Sequence, residues 1–194
     1  QKGTQVTIPK AFISANTEDV TFQDVSQKHL IPVYVKDNEP LISHSDFIQT
    51  THELAKLFYG FEDVSKPIVR VSHPIKGRIP DARNKPAISL LESEKTLYYE
   101  RMMFLIEVPS NCDEVGGNSL SLTIGGVKAY NLDNMNNKKG SPEHFKAFVG
   151  FKNSVCTNLC VSTDGLLADI RVTSLDELKG RLHEMLSNYN PQAQ

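Results

Sequence analysis

Two thiols, Cys156 and Cys160, lie four residues apart in the stretch GFKNSVCTNLCVSTDG, flanked by Asn153 and Asn158 and closed by Asp164-Gly165. Such a pair could ligate a soft metal, close a disulfide or supply a nucleophile, and each role makes a demand on the rest of the chain. Zinc needs roughly two further Cys or His ligands in a clustered pair, yet Cys112 stands alone and no CxxC or HxxxH spacing occurs. Val155, Thr157, Leu159 and Val161 alternate with Cys156, Asn158, Cys160 and Ser162, which predicts a strand over 155–162. Positions four apart on one strand are separated by about 13 Å, too far for a bridge. On that reading the thiols are reduced, metal-free, partly buried small hydrophobes. A nucleophilic Cys would want a His and an acid beside it, which no spacing here supplies. The expectation is no catalytic residue, no metal and no cofactor. Asn153 and Asn158 remain possible ligand contacts, since an amide can pair with a ligand or a base edge. Equally, each can satisfy backbone groups at a strand end.

The second chemical feature is basic. In RVSHPIKGRIPDARNKP, Arg70, Lys76, Arg78, Arg83 and Lys85 meet only one acid, Asp81. Prolines 74, 80 and 86 and the lack of any period predict a stiffened loop over 74–86 at the rim of a sheet. Cations so held suit phosphate contacts with DNA or RNA, and Tyr98 and Tyr99 could offer stacking faces. The competing reading is a solvated loop packed on the acidic N-terminal third. Residues 1–65 carry five Lys or Arg against nine Asp or Glu, and residues 66–101 carry eight against four. The six histidines are scattered and read as surface or boundary residues, with His44 ahead of a helix. Neither Gly-Gly pair has the strand–turn–helix context of a phosphate loop.

The elements that would position these groups follow from periodicity. Residues 1–41 read as extended and irregular, with LIPVYV at 30–35 a short strand. Phe47, Leu54, Leu57 and Phe58 recur at helical spacing, so a helix is expected over about 46–58, capped by Ser45 and ended by Gly60. Strands are expected at 67–73, 96–109, 118–129, 144–151, 155–162 and 166–172, with a helical turn near 86–93. In the long strand, Leu97, Tyr99, Arg101, Met103 and Leu105 share one face; Gly125-Gly126 predicts a bulge or a close backbone approach. A second helix spans about 174–188, with Ser174 and Glu177 in capping-box positions and an apolar stripe of Leu175, Leu178, Leu182, Met185 and Leu186. The fold class is therefore α+β: one antiparallel meander of about five to six strands, packed by an N-terminal and a C-terminal helix.

The chain has 194 residues, enough for one domain with a sizeable core, and residues 1–194 are read as a single unit. A net charge of −2 argues against a surface wholly devoted to phosphate. Three cysteines are an odd, sparse set, which favours a cytoplasmic setting with reduced thiols. No run reaches the roughly 18 apolar residues of a membrane-spanning helix.

With these stretches in view, PIVRVSHPIKGRIPDARNKPAISLLESEKTLYYERMMFLIEVP, SLTIGGVKAYN and FKAFVGFKNSVCTNLCVSTDGLLADIRVT resemble a family from Bacteroides-type bacteria, domain of unknown function 3871. The Asn153, Cys156, Asn158 core is also similar to the wider phage/plasmid-like protein family. The resemblance implies a prokaryotic, cytoplasmic, mobile-element setting and brings no catalytic residues. Phage/plasmid-like relatives continue into a C-terminal helical region, so this chain is expected to lack one and to have it as an intramolecular partner. Two functions compete: a nucleic-acid-associated module using the basic loop, and a non-catalytic structural or protein-interaction module. An enzyme acting at Cys156 ranks behind both. Convergence of the five cations on one exposed surface would favour nucleic acid; pairing with residues 1–65 would favour interaction.

Overall fold

The stretches densest in β-branched and aromatic residues build the longest pairing in the molecule. The computed structural model describes residues 12–13, 16–28, 42–115, 117–133 and 140–189. Strand β3 (Lys95–Val115) turns back into β4 (Asn118–Ala129), and this hairpin is the centre of a six-stranded antiparallel sheet. The other strands are β1 (Glu18–Val20), β2 (Ile68–Arg78), β5 (Glu143–Gly150) and β8 (Leu166–Val172), in the order β1-β2-β3-β4-β5-β8. Two short strands, β6 (Asn153–Val155) and β7 (Val161–Thr163), leave the sheet between β5 and β8 as a separate hairpin. The α+β class is as the sequence indicates.

Helix α2 (His44–Tyr59) begins at Ser43, whose hydroxyl accepts from the Asp46 N–H at 3.0 Å while the Asp46 carboxylate accepts from the Ser43 N–H at 3.1 Å. Two otherwise orphaned donors are thereby satisfied. The expected Ser45 cap is displaced by two residues because this reciprocal pair forms one turn edge earlier. Gly60 ends the helix at φ 98°, a left-handed value that a side chain would strain. The buried face carries Phe47, Ile48, Thr51, Leu54 and Ala55, whereas Leu57 is 68% exposed despite its helical spacing. Helix α3 (Leu175–Asn188) is capped by Ser174, whose hydroxyl accepts from Glu177 N–H. The Glu177 carboxylate reaches past the cap to Thr173 N–H and Oγ1. Leu178, Leu182, Met185 and Leu186 are buried, and Leu175, expected in the stripe, is 39% exposed.

Both helices lie on one face of the sheet. Their apolar stripes meet Met102, Phe104, Ile106, Val108, Leu122, Ile124, Phe145, Val149 and Ile170 in the principal core. The opposite face has a smaller core of Met103, Leu105, Val127 and Phe148, covered by Val155 from the β6–β7 hairpin. Burial on both faces explains why β3 reads as a near-continuous apolar run. It also corrects the one-face reading: Met103 and Leu105 do share a face, but Tyr99 packs against the principal core and Leu97 is only half-buried.

Gly125 and Gly126 sit in regular register against Leu105 and Phe104, with no bulge; the irregularity of β3 lies between Val108 and Cys112. The glycines allow close approach instead. A Cβ on Gly126 would stand 2.4 Å from Phe47 Cζ, and one on Gly125 would stand 2.3 Å from Phe104 O and 2.7 Å from Phe148 Cζ. One glycine therefore admits an aromatic ring on each face. Phe47 fills its slot by meeting Phe104 and Phe145 edge-on at 5.0 and 4.9 Å.

Three further expectations change. The N-terminal third holds an edge strand, β1, and a short helix, α1 (Phe22–Lys28), where only irregular chain was expected; the strand expected at 30–35 lies outside the described residues. Strand β2 continues through Pro74 to Arg78, paired with Tyr99 through Lys95. The proline is accommodated because β1 pairs only with residues 69–71, so β2 is an edge strand by Pro74 and needs no outward donor there. The segment 86–93 forms two short 3-10 turns, Ala87–Ser89 and Glu92–Glu94, rather than one helical turn.

Two stability effects follow. Gly126→Ala must displace Phe47 from the core, so urea unfolding should show a loss of about 2 kcal/mol or more. Tyr59, at the end of α2, has its hydroxyl pushed up to about 12, chiefly by burial and then by the nearby Tyr189. The stability held at Tyr59 is thus complete below pH 10 and is lost as pH rises from 10 through 12. Unfolding midpoints measured across that range should fall less steeply in Tyr59→Phe.

Candidate functional site

The basic segment does not fold as a free loop. Arg70 lies inside β2 and points at the N-terminal strand: Nε donates to Thr17 Oγ1 at 2.7 Å, NH2 to Thr17 O at 3.1 Å, and NH1 pairs with Asp19. Lys76 and Arg78 are also strand residues, opposite Leu97 and Lys95. Arg78 turns inward along its own segment and donates to the carbonyls of Ala82 and Lys85, so it fastens the 3-10 turn Pro80–Ala82. Lys85 pairs with Glu94, whose carboxyl is held below the usual range first by the hydrogen bond from Lys85 and then by the Leu91 N–H. Lys76 and Arg83 are exposed and make no ion pair among the described residues. Of the five cations, one is therefore paired with residues 1–65, two brace the arm formed by residues 79–94 between β2 and β3, and two make no ion pair among the described residues.

The expected stacking faces are also engaged. Tyr98 meets Tyr130 edge-on at 6.2 Å, and Tyr99 packs on the principal core. The arm does display apolar side chains: Ile88 is 96% exposed and Leu91 61% exposed, and Ile75 on β2 is exposed as well.

The cysteines are placed differently from the strand expectation. Asn153, Ser154 and Val155 pair with Thr163, Ser162 and Val161, and the chain reverses between them. Thr157, Asn158 and Leu159 form the tip, with Leu159 at φ 60°. Apolar alternation continues through this reversal, which is why the sequence reads as one strand. Cys156 is half-buried and Cys160 exposed, so only Cys156 meets the expectation of partial burial. Asn153 Nδ2 donates to Gly150 O at 3.1 Å, a backbone-satisfying role. Asn158 Oδ1 accepts from Arg101, and Lys146 Nζ donates to Leu159 O at 3.1 Å, so the tip is tied to the sheet beneath it.

A third polar cluster escaped sequence reasoning. Lys128, near the end of β4, is fully buried beneath the start of α2. Its ammonium donates to Asp133 Oδ2 at 2.6 Å and His144 O at 3.2 Å, and lies 3.7 Å from Glu143 Oε1. It sits 4.0 Å from the centre of the Phe145 ring and 5.4 Å from that of Tyr130. Burial pulls the lysine down from its usual value, against the opposing pull of Asp133 and Glu143. Tyr130 is pushed well up, again chiefly by burial and next by Glu143. His44, expected at a surface or boundary position ahead of the helix, is instead the buried first residue of α2, its ring tilted against Tyr130 at 4.4 Å, with Nε2–H donating to Tyr99 O at 2.7 Å. Perturbed groups of this kind occur at catalytic sites. Here they are sealed in the core, where substrate has no access to Lys128. The only sequence signal was a lysine inside a strand otherwise buried, since Lys is seldom buried unless paired.

Among the described residues no group of three or more His, Cys, Asp or Glu side chains is arranged to hold a metal ion, and no helix is long and apolar enough to cross a membrane. The family model described as "Domain of unknown function, B. Theta Gene description (DUF3871)" matches residues 1–194. Comparison with curated proteins and with solved structures finds no match.

The Lys128 cluster makes a strong prediction. Lys128→Met leaves Asp133 and Glu143 buried without their cation and should lower unfolding stability by about 3–5 kcal/mol. Calorimetry or urea unfolding measures this directly. A loss below about 1 kcal/mol would mean that water reaches the cluster.

Proposed function

We propose, for a chain that belongs to the DUF3871 family, a non-catalytic protein-interaction module that engages its partner through the arm between β2 and β3. The observation that carries this reading is the pairing of Arg70 with Asp19 and Thr17, together with the internal bracing by Arg78 and Lys85. A surface evolved to neutralise phosphates would keep those cations outward. What the end of β2 and the arm leave exposed is apolar side chains, Ile75, Ile88 and Leu91, and two cations, Lys76 and Arg83. Exposed apolar groups together with unpaired cations on one segment suit a protein partner that offers apolar and acidic groups. The mobile-element association and bacterial cytoplasmic setting belong to this proposal as its context.

Nucleic acid is the second reading, favoured by Lys76 and Arg83 alone. The two are separated by one pair of variants. On the interaction reading, Ile88→Asp with Leu91→Asp abolishes partner capture, measured by quantitative cross-linking in the native host. Titration with DNA or RNA across a salt series should then show weak binding that the apolar variant leaves unchanged. On the nucleic-acid reading, Lys76→Ala with Arg83→Ala flattens the slope of log affinity against log salt by about two units, and the apolar variant has no effect.

A further inference from the structure

The reversal at 157–159 changes what Cys156 and Cys160 can do. Register runs Asn153 to Thr163, Ser154 to Ser162 and Val155 to Val161, so the next pair across the hairpin is Cys156 and Cys160. The pairing continues to that point: Cys156 N–H donates to Cys160 O at 3.0 Å. Directly opposed, hydrogen-bonded residues of an antiparallel pair have Cα atoms about 5.5 Å apart. That spacing lies inside the range a disulfide bridges without backbone movement. The Cys160 thiol is pushed up, first by a hydrogen bond with the Cys156 side chain, with Lys146 acting in the opposite direction.

We propose that Cys156 and Cys160 form a thiol–disulfide exchange site at the tip of the β6–β7 hairpin, closed by small-molecule disulfides and reopened by dithiols. The exposed Cys160 suits the entering step. Its thiolate attacks one sulfur of the small disulfide, a mixed disulfide forms, and one small thiolate leaves and takes up a proton. The Cys156 thiolate then attacks the Cys160 sulfur, the protein disulfide forms and the second small thiolate departs. The protein dithiol is oxidised by two electrons, and one small disulfide is reduced to two thiols. Closure fixes the tip residues 157–159, of which Asn158 and Leu159 carry the contacts to Arg101 and Lys146. Oxidation therefore acts on the hairpin that covers the second face of the sheet. Cys112 is the internal control, being exposed with no second thiol across from it.

The test uses the full chain and oxidised glutathione, followed by alkylation and peptide mass spectrometry. The expected result is an intramolecular bridge between Cys156 and Cys160, with no glutathione left on either, while Cys112 is alkylated or carries glutathione. Cys156→Ser should retain a stable glutathione adduct on Cys160, because the resolving thiol is gone. Phenylarsine oxide, which needs two neighbouring sulfurs, supplies a readout on the unsubstituted chain. It should protect Cys156 and Cys160 from alkylation together and leave Cys112 reactive. A glutathione adduct persisting on Cys160 of the unsubstituted chain, or equal alkylation of all three thiols in the presence of the arsenical, would overturn the proposal.

Discussion

A single buried lysine ammonium organises one end of this fold. Lys128 receives Asp133 from the turn after β4 and the His144 carbonyl from the start of β5, with Glu143 close by. The carboxylates then pass the constraint outward. Asp133 Oδ1 accepts from His144 N–H at 2.9 Å, and Glu143 Oε2 accepts from Ile42 N–H at 3.0 Å, two residues before α2. Tyr130 OH donates to Ile42 O at 3.4 Å. One desolvated charge thus ties the turn after β4 to the start of β5 and to the entry of the helix that covers the sheet. Such a cluster is poor value as stability, since well-packed apolar side chains can do as well or better. Its physical contribution is uniqueness: a shifted register would leave a charge unpaired in the core, a penalty apolar packing cannot impose.

The same sheet end shows how charge and steric constraint divide the work. The Lys128 cluster sets where α2 begins; the gap at Gly126 sets where Phe47 enters, three residues into that helix. Both act on the helix-covered face. Gly125 does the equivalent on the other face by admitting Phe148, beneath which Met103, Leu105 and Val127 need a cover. The β6–β7 hairpin provides that cover with Val155, helped by Phe12, Leu159 and Val161. An uncovered apolar patch there would invite association. The position of the cysteines is thus a consequence of the need to close the second face.

Legibility in the sequence followed the range of the interaction concerned. Both long helices, β4 to the residue, and the antiparallel α+β class were readable because amphipathic period and local caps determine them. The failures share a cause. Residues 155–162 alternate like a strand because alternation reports burial on one side, and a hairpin lying flat on a sheet is also buried on one side. The basic segment looked free because its partners, Asp19 and Glu94, are distant in sequence or belong to a turn whose geometry no pattern reveals. Lys128 and His44 were invisible as a pair for the same reason: Asp133, Glu143 and Tyr99 converge only after the sheet is assembled.

Leu159 joins these two scales. Its φ of 60° lies in the left-handed region, where a side chain is uncommon and glycine or asparagine would be the local choice for a three-residue hairpin tip. Local preference is overruled because the Leu159 side chain packs against the second core while its carbonyl receives the Lys146 ammonium. Backbone strain of roughly 1–3 kcal/mol is the usual cost of such a residue. It persists only where surrounding contacts over-determine the conformation. The hairpin tip is therefore held by the sheet rather than by its own turn chemistry, and Cys156 and Cys160 face each other as a tertiary consequence of that hold.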